Sequence, residues 1–278
     1  MALSPSATVE LLRKLGHLPN KKLGQNFLID GNLVEKSLSM ADLPKDLPVL
    51  EIGPGLGTLT GQLLDLGHPV YAVEIDRRLE AHLQKHFDSQ IQSGQLNLLR
   101  EDAVKKPMGN LPSSIDRYAV VANLPYAISS AWMEGLLGSM QLPERMVMML
   151  QKEASDRMLA QPGTKAFNAL SIFLQACFQE AGTHQVSGQC FHPAPAVSSV
   201  LLRMDKLAKP YPFPKDVRML IRRIFTQRRK QLGSLIKNES KRIQDCMNVW
   251  LKRQNICPTL RPEKILVKQW TDLAISLE

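Results

Sequence analysis

Five apolar runs, each stopped by a polar residue, constrain this chain more than any other feature. They read PVLEIG from Pro48, PVYAVEID from Pro69, QLNLLRED from Gln95, RYAVVAN from Arg117 and ERMVMMLQ from Glu144. Runs with so little polar alternation suit strands covered on both faces, the habit of parallel sheets. Helix signals stand between them: Thr58 to Leu66 is closed by Gly67, and a second helix is expected from about Arg77 to Phe87. Such alternation predicts an α/β chain with a Rossmann-like, doubly wound and mostly parallel sheet. Two later strands, near 184–191 and 197–204, are close in sequence and are expected to form an antiparallel hairpin at one edge. Ahead of the first run, residues 7–15 read as a short helix with Val9, Leu12 and Leu15 inward. A basic loop follows from Asn20 to Gly24, and Asp30 is placed to cap a helix ending near Ala41.

KLAKPYPFPK, from Lys206 to Lys215, has three prolines in ten residues and reads as a linker. Beyond it Val217, Leu220, Ile221, Ile224 and Phe225 share one helical face, with Arg218, Arg222 and Arg223 on the other. Ile243, Met247, Trp250 and Leu251 repeat the pattern. The expected division is an α/β domain over 1–205, a linker over 206–214 and a small basic helical domain over 215–278. Charge supports the last of these. The net charge is +9, and Lys215 to Arg253 holds 12 Lys or Arg against 3 acids, while the rest of the chain carries 23 of each sign. A surplus so confined favours a polyanionic partner over a merely solvated helix face. Cys177, Cys190, Cys246 and Cys257 form no C-x-x-C pair, so no metal site and a reducing, cytoplasmic setting are expected. No long apolar stretch suggests a secretory signal or a membrane span. Nothing demands a dimer, and a monomer is expected.

In an open α/β sheet, ligands bind beyond the carboxyl ends of the strands. Four polar residues end four successive strands here: Glu51, Glu74, Asp102 and Asn123. The turn EIGPGLGTLT supplies Gly53, Gly55 and Gly57, which let a backbone approach a ligand closely. Its G-x-G-x-G spacing is not the G-x-G-x-x-G of dinucleotide folds, and no Lys-Ser/Thr follows as in a phosphate-binding P-loop. Glu74, 21 residues beyond Gly53, stands where an acid accepts ribose hydroxyls; the competing reading is a helix cap shared with Asp76. Asp102 could accept from an adenine amine. Together these describe a nucleoside site without a required pyrophosphate, and S-adenosylmethionine fits it.

Asn123, Leu124, Pro125 and Tyr126 then form either an ordinary turn or a pocket for a flat, amine-bearing ring. An aromatic amine is a poor nucleophile because its lone pair is delocalised. The Asn123 side-chain oxygen, with a backbone carbonyl from Leu124 or Pro125, could accept both N–H groups and draw the nitrogen toward tetrahedral geometry. Pro125 stiffens the turn, and Tyr126 could stack on the base, worth roughly 1–3 kcal/mol. A sulfonium donor departs as a neutral thioether, so no strong general base is required. A paired base would have to be flipped out to reach such a pocket. Phe191, in CFHPAPAVSS, is a candidate second stacking ring, against the plainer reading of a core aromatic at a strand end.

KKLGQNFL, EIGPGLGTLT, VEIDRRL, EDAVK, ANLPYAISS and FHPAPAVSSV follow the order seen in the ribosomal RNA adenine N6-dimethyltransferases. The chain resembles the bacterial small-subunit branch of that family over about residues 20–235, FTQRRKQL included. The resemblance implies a class I methyltransferase fold and S-adenosylmethionine as donor, with no metal. It also implies transfer of two methyl groups to each of two adjacent adenosines near the 3′ end of 16S rRNA, within the small ribosomal subunit or its precursor. By motif, the donor contacts fall on Asn26, Leu28, Gly53, Glu74, Asp102 and Asn123, with Gly55 in the same glycine turn; Asn26 and Leu28 would fold over the donor from the N-terminal segment. Asn123 to Tyr126 match the target-amine motif, and Arg222, Arg223, Arg228, Arg229 and Lys230 are expected on RNA phosphates.

Three positions depart from the family pattern: Ala127 and Ala194, and AFNAL at 166–170, where a Tyr-Gly pair is usual. The nearest rival is the 23S rRNA adenine methyltransferase of the macrolide-resistance type; Leu124 and the length of the tail favour the small-subunit enzyme. A catalytically dispensable RNA-binding assembly factor is a rival of another class, but Glu74, Asp102 and Asn123 are all retained. The glycine spacing disfavours a dinucleotide oxidoreductase.

Overall fold

A computed structural model describes residues 4–20 and 23–278. Lys21 and Lys22 of the expected basic loop lie outside the described residues. The strands are β1 (Phe27–Leu28), β2 (Val49–Ile52), β3 (Val70–Glu74), β4 (Leu96–Arg100), β5 (Ala119–Asn123), β6 (Arg145–Gln151), β7 (Phe178–Val186), β8 (Phe191–His192) and β9 (Ser199–Lys206). Seven form one sheet in the order β4-β3-β2-β5-β6-β9-β7. The strands from β4 to β6 are parallel, and β9 runs antiparallel to β6. The antiparallel edge is formed by β9, close to its expected 197–204, and by β7, which ends at Val186 where a strand over 184–191 is expected; Gly188–Cys190 form a short 3-10 turn before β8. Every residue of β2 is buried, as are Met146 to Leu150 of β6, which is why these segments read as unbroken apolar runs. Strand order reverses direction between β2 and β5. A crevice therefore opens beyond Ile52 and Asn123, where the chain leaves the sheet toward opposite faces.

Polar caps fix the helices on either side. Asp30 accepts from the Asn32 and Leu33 amides at 2.8 and 3.2 Å and starts the helix Gly31–Ala41. Asp76 accepts from the Arg78 and Leu79 amides at 2.9 and 3.3 Å and starts Arg77–His86. The first helix, Pro5–Lys14, corrects an expectation. It buries Thr8 and Leu12, whereas Val9 is 46% exposed. The Ser4 cap and Pro5 set its phase, and that phase turns Thr8, rather than its more apolar neighbour, inward. A second surprise is β1. GQNFL reads as a loop, but Phe27 and Leu28 pair antiparallel with His192 and Phe191 of β8.

The chain divides into two compact units: residues up to Ser155 with Glu180–Lys206, and Asp156–Gln179 with Leu207–Glu278. Asp156–Gln179 thus belongs with the tail, not with the α/β domain as expected. The proline-rich segment is no open linker either. Leu207 and Tyr211 donate to the Cys177 and Ala176 carbonyls, each at 2.9 Å. Phe213 is 1% exposed, its ring 5.3 Å from that of Phe173. Prolines end helices and strands, but aromatic rings between them still pack. The AFNAL departure is explained here. Asn168 caps the helix Ala169–Gln175 in a reciprocal box with Ser171, and Phe167 is buried against Phe225. No helix among the described residues is long and apolar enough to cross a membrane.

Candidate active site

A cavity of about 1010 Å³, counted out to its open mouth, occupies the crevice at the switch point. Asn26, Leu28, Gly53, Gly55, Glu74, Asp102 and Asn123 all line it, as do Leu124, Pro125 and Tyr126. Residues far apart in the sequence are brought together because β3, β2 and β5 lie side by side in the sheet, and Phe27 and Leu28 of β1 line the same cavity.

The glycine turn shows why these positions lack side chains. Gly53 has φ of +69°, and a Cβ there would come within 2.8 Å of the Pro125 ring. Any other residue would strain the backbone and push on the Asn123 turn. Gly55 places its N–H 3.1 Å from Glu74 Oε2, while Glu74 Oε1 accepts from the Asp76 amide at 2.9 Å. Glu74 is 4% exposed, and this burial pushes its carboxyl up to about 7 despite the two backbone donors. Glu51, 1% exposed, accepts from Thr60 Oγ1 at 2.7 Å; burial pushes it up to about 8, and the charge on Glu74 adds to the rise. Asp102 Oδ1 accepts from the Val104 amide at 2.9 Å, holding the carboxylate at the cavity wall with acceptor capacity to spare.

The target side is equally fixed. Asn123 Nδ2 donates to the Asn26 carbonyl at 2.8 Å. One amide hydrogen is spent on the donor-side segment, and Oδ1 remains an acceptor. The Pro125 carbonyl accepts from the Ile128 amide at 3.1 Å, closing a tight turn that favours Leu124 as the source of the second carbonyl. Tyr126 is half-buried, and its hydroxyl lies 2.6 Å from Ser199 Oγ. Burial raises the phenol above its ordinary range, so it stays neutral. Sequence reading missed Thr60, at the end of the glycine turn, and Ser199, 73 positions from Tyr126; both are hydroxyls partnering residues of the site, and no spacing rule points to either.

Other expected site residues lie elsewhere. Phe191 is 3% exposed in the sheet's core, opposite Leu28, and does not line the cavity. Pairing with β1 draws it inward, so the plainer reading of a core aromatic is the one the structure gives. In the tail, Arg222 is half-buried with its guanidinium 5.9 Å over the Phe173 ring. Arg223 makes a bidentate pair with Glu239. Arg228 donates to the Lys165 carbonyl at 2.8 Å. Helical periodicity groups Arg222 and Arg223 on an outer face, but it cannot see Glu239 or the Asp156–Gln179 segment packed beside them and beside Arg228. Arg229 and Lys230 are exposed.

The model of the ribosomal RNA adenine dimethylases matches residues 16–277. The chain belongs to that family. The ribosomal RNA small subunit methyltransferase A of Opitutus terrae is 46% identical, over 99% of this chain and 99% of its own. Its counterpart from Halothermothrix orenii is 35% identical, over 99% and 93%. A solved dimethyladenosine transferase from Plasmodium falciparum shares the fold with a TM-score of 0.71, at 24% identity over 90% of this chain and 96% of its own. The 23S rRNA methyltransferase ErmE shares it with a TM-score of 0.64, at 23% identity over 91% and 99%. Membership makes this family member a methyltransferase acting on adenines of ribosomal RNA.

Proposed function

We propose that the crevice binds S-adenosylmethionine and that the chain dimethylates two adjacent adenosines at N6 near the 3′ end of 16S rRNA. The substrate would be the small ribosomal subunit or its precursor, met by a cytoplasmic monomer. One observation carries this reading: the Asn123 amide hydrogen-bonds the Asn26 carbonyl, so the donor-covering segment and the target turn meet in one cavity with the buried Glu74 carboxylate. The chemistry of the lining fits that donor. Glu74 is a carboxylate for ribose hydroxyls and Asp102 an acceptor for the adenine amine, beside the glycine turn at Gly53. Bound there, S-adenosylmethionine supplies a sulfonium methyl whose leaving group is a neutral thioether.

The chain's own residues do the rest. Asn26 and Leu28 cover the donor side. Asn123 Oδ1 and the Leu124 carbonyl accept the two N–H groups of the target amine, fixing its lone pair toward the methyl. Tyr126 stacks on the extruded base. Aligning two bound reactants can lower the barrier by about 7–11 kcal/mol, which covers the weak nucleophilicity of the amine without a strong base. The nitrogen sheds its proton after transfer, when its positive charge makes that proton acidic.

Tritiated donor offered in parallel to undermethylated 30S particles, mature 30S particles and 23S rRNA tests the substrate. Label is expected on the undermethylated 30S particles. Label on 23S rRNA alone would overturn this assignment, and binding without label would favour an assembly factor. Arg229 and Lys230, exposed on the second unit, would meet phosphates. Replacing both with Ala is expected to weaken RNA binding and to lower the salt slope by roughly one for each phosphate no longer neutralised. An unchanged slope in filter binding would remove them from the interface.

A further inference from the structure

We infer that Ser199 is a positioning residue for methyl transfer: its hydroxyl holds the Tyr126 ring in the orientation the target base stacks on. The inference rests on the proposed methyl transfer and extends it to a side chain outside the cavity lining. The phenol oxygen and Ser199 Oγ are 2.6 Å apart, and either can donate. Ser199 is 4% exposed, so this hydroxyl has little access to water as an alternative partner. Its backbone is fixed by the sheet, where it opens β9 opposite Gln151 of β6, and Ser198 beside it accepts from the Lys152 amide at 2.9 Å.

Tyr126 is held at its other end as well. It begins the tight turn Tyr126–Ile128, and its carbonyl accepts from Ser129 Oγ at 3.2 Å. A tyrosine ring turns about two side-chain bonds, and a backbone anchor leaves both free. Fixing the phenol oxygen stops the swing about the first, and because a phenol O–H prefers the ring plane, its direction toward Ser199 biases the second. Ser199 also ends the loop that begins at β8, and β8 pairs with the donor-covering Phe27 and Leu28. The hydroxyl pair thus ties the stacking ring to the start of β9, at the end of the loop that leaves the strand paired with the donor-side segment. Orienting groups of this kind act on the rate of the bound complex, not on binding of the remote partner.

The test is a double-variant cycle with S199A and Y126F, assayed on undermethylated 30S particles with donor affinity measured by calorimetry. Y126F keeps the ring and removes the same hydrogen bond from the other side. Each single variant is expected to lower kcat about 3- to 10-fold, the worth of one hydrogen bond. Donor Kd should stay within about twofold, and the double variant should be no slower than the slower single. Ser199→Cys, close in volume with a weak thiol donor, should fall between wild type and S199A. A merely structural Ser199 would give losses that multiply in the double variant and follow thermal stability; that pattern overturns the inference. So does wild-type kcat in S199A beside a slow Y126F, which would put the phenol on the RNA itself. A wild-type chain that labels no ribosomal RNA overturns the proposed function and this inference with it.

Discussion

Asn123→Ala is expected to lower kcat about 10²–10³-fold, the loss typical when a preorganised dipole aimed at transition-state charge is removed. As the amine attacks, positive charge grows on nitrogen, and the Asn123 oxygen is the acceptor aimed at it. That aim comes from the 2.8 Å bond between Nδ2 and the Asn26 carbonyl. Asn123→Asp separates the two halves of the role. It keeps an acceptor oxygen but cannot donate to Asn26, and two oxygens would face one another. Its kcat is expected to fall nearly as far as that of the alanine variant. Single-turnover methylation of undermethylated 30S particles reads both. Rates within about threefold of wild type for either variant would remove the amide from the chemistry, as would a loss found entirely in donor affinity.

Glu74→Ala is expected to weaken donor binding about 10- to 100-fold, because hydrogen bonds to a charged group contribute about 1.5–3 kcal/mol. The ribose hydroxyls need an ionised acceptor, and burial holds the Glu74 carboxyl at about 7. Donor affinity should therefore fall as pH drops through 7, by up to about tenfold per unit for one proton taken up. Fold stability runs the other way. A carboxyl raised above its ordinary 4.5 contributes stability that is complete below 4.5 and is lost as pH rises through about 7. Glu51, held at about 8, adds a loss of the same sign slightly higher. Calorimetry from pH 8 to pH 6 distinguishes the two effects. Glu74→Gln should bind weakly and evenly across that range, and a flat wild-type profile would contradict the assignment.

Much of this site was legible in the sequence because parallel strands advertise themselves. Their continuous burial gives runs such as Val49–Ile52 and Arg145–Gln151, and a doubly wound sheet puts the residues after each run along one edge. Glu74, Asp102 and Asn123 could be placed together on that ground alone. Asp30 and Asp76 were legible as caps for a similarly local reason. What escaped was long-range or context-dependent. The two-residue β1 carries no periodicity, and only its pairing with β8 makes it a strand. That same pairing draws Phe191 into the core. Arg222 and Arg223 sort together by helical spacing, yet each, like Arg228 beyond their helix, has a structural partner in the second unit. Ser199 and Thr60 look like ordinary hydroxyls until their partners arrive from 73 and 9 positions away.

The second unit is assembled from stretches on both sides of Glu180–Lys206, and this bears on how the protein can be dissected. A chain cut after Lys206 would not be a catalytic half with its appendage removed. It would keep the helix Ala169–Gln175 and lose Phe225 and Phe213, the rings that pack on Phe167 and Phe173. The stump would expose a fresh apolar face and invite aggregation. Point changes at the outer cations, rather than deletion, are the way to ask what the tail does.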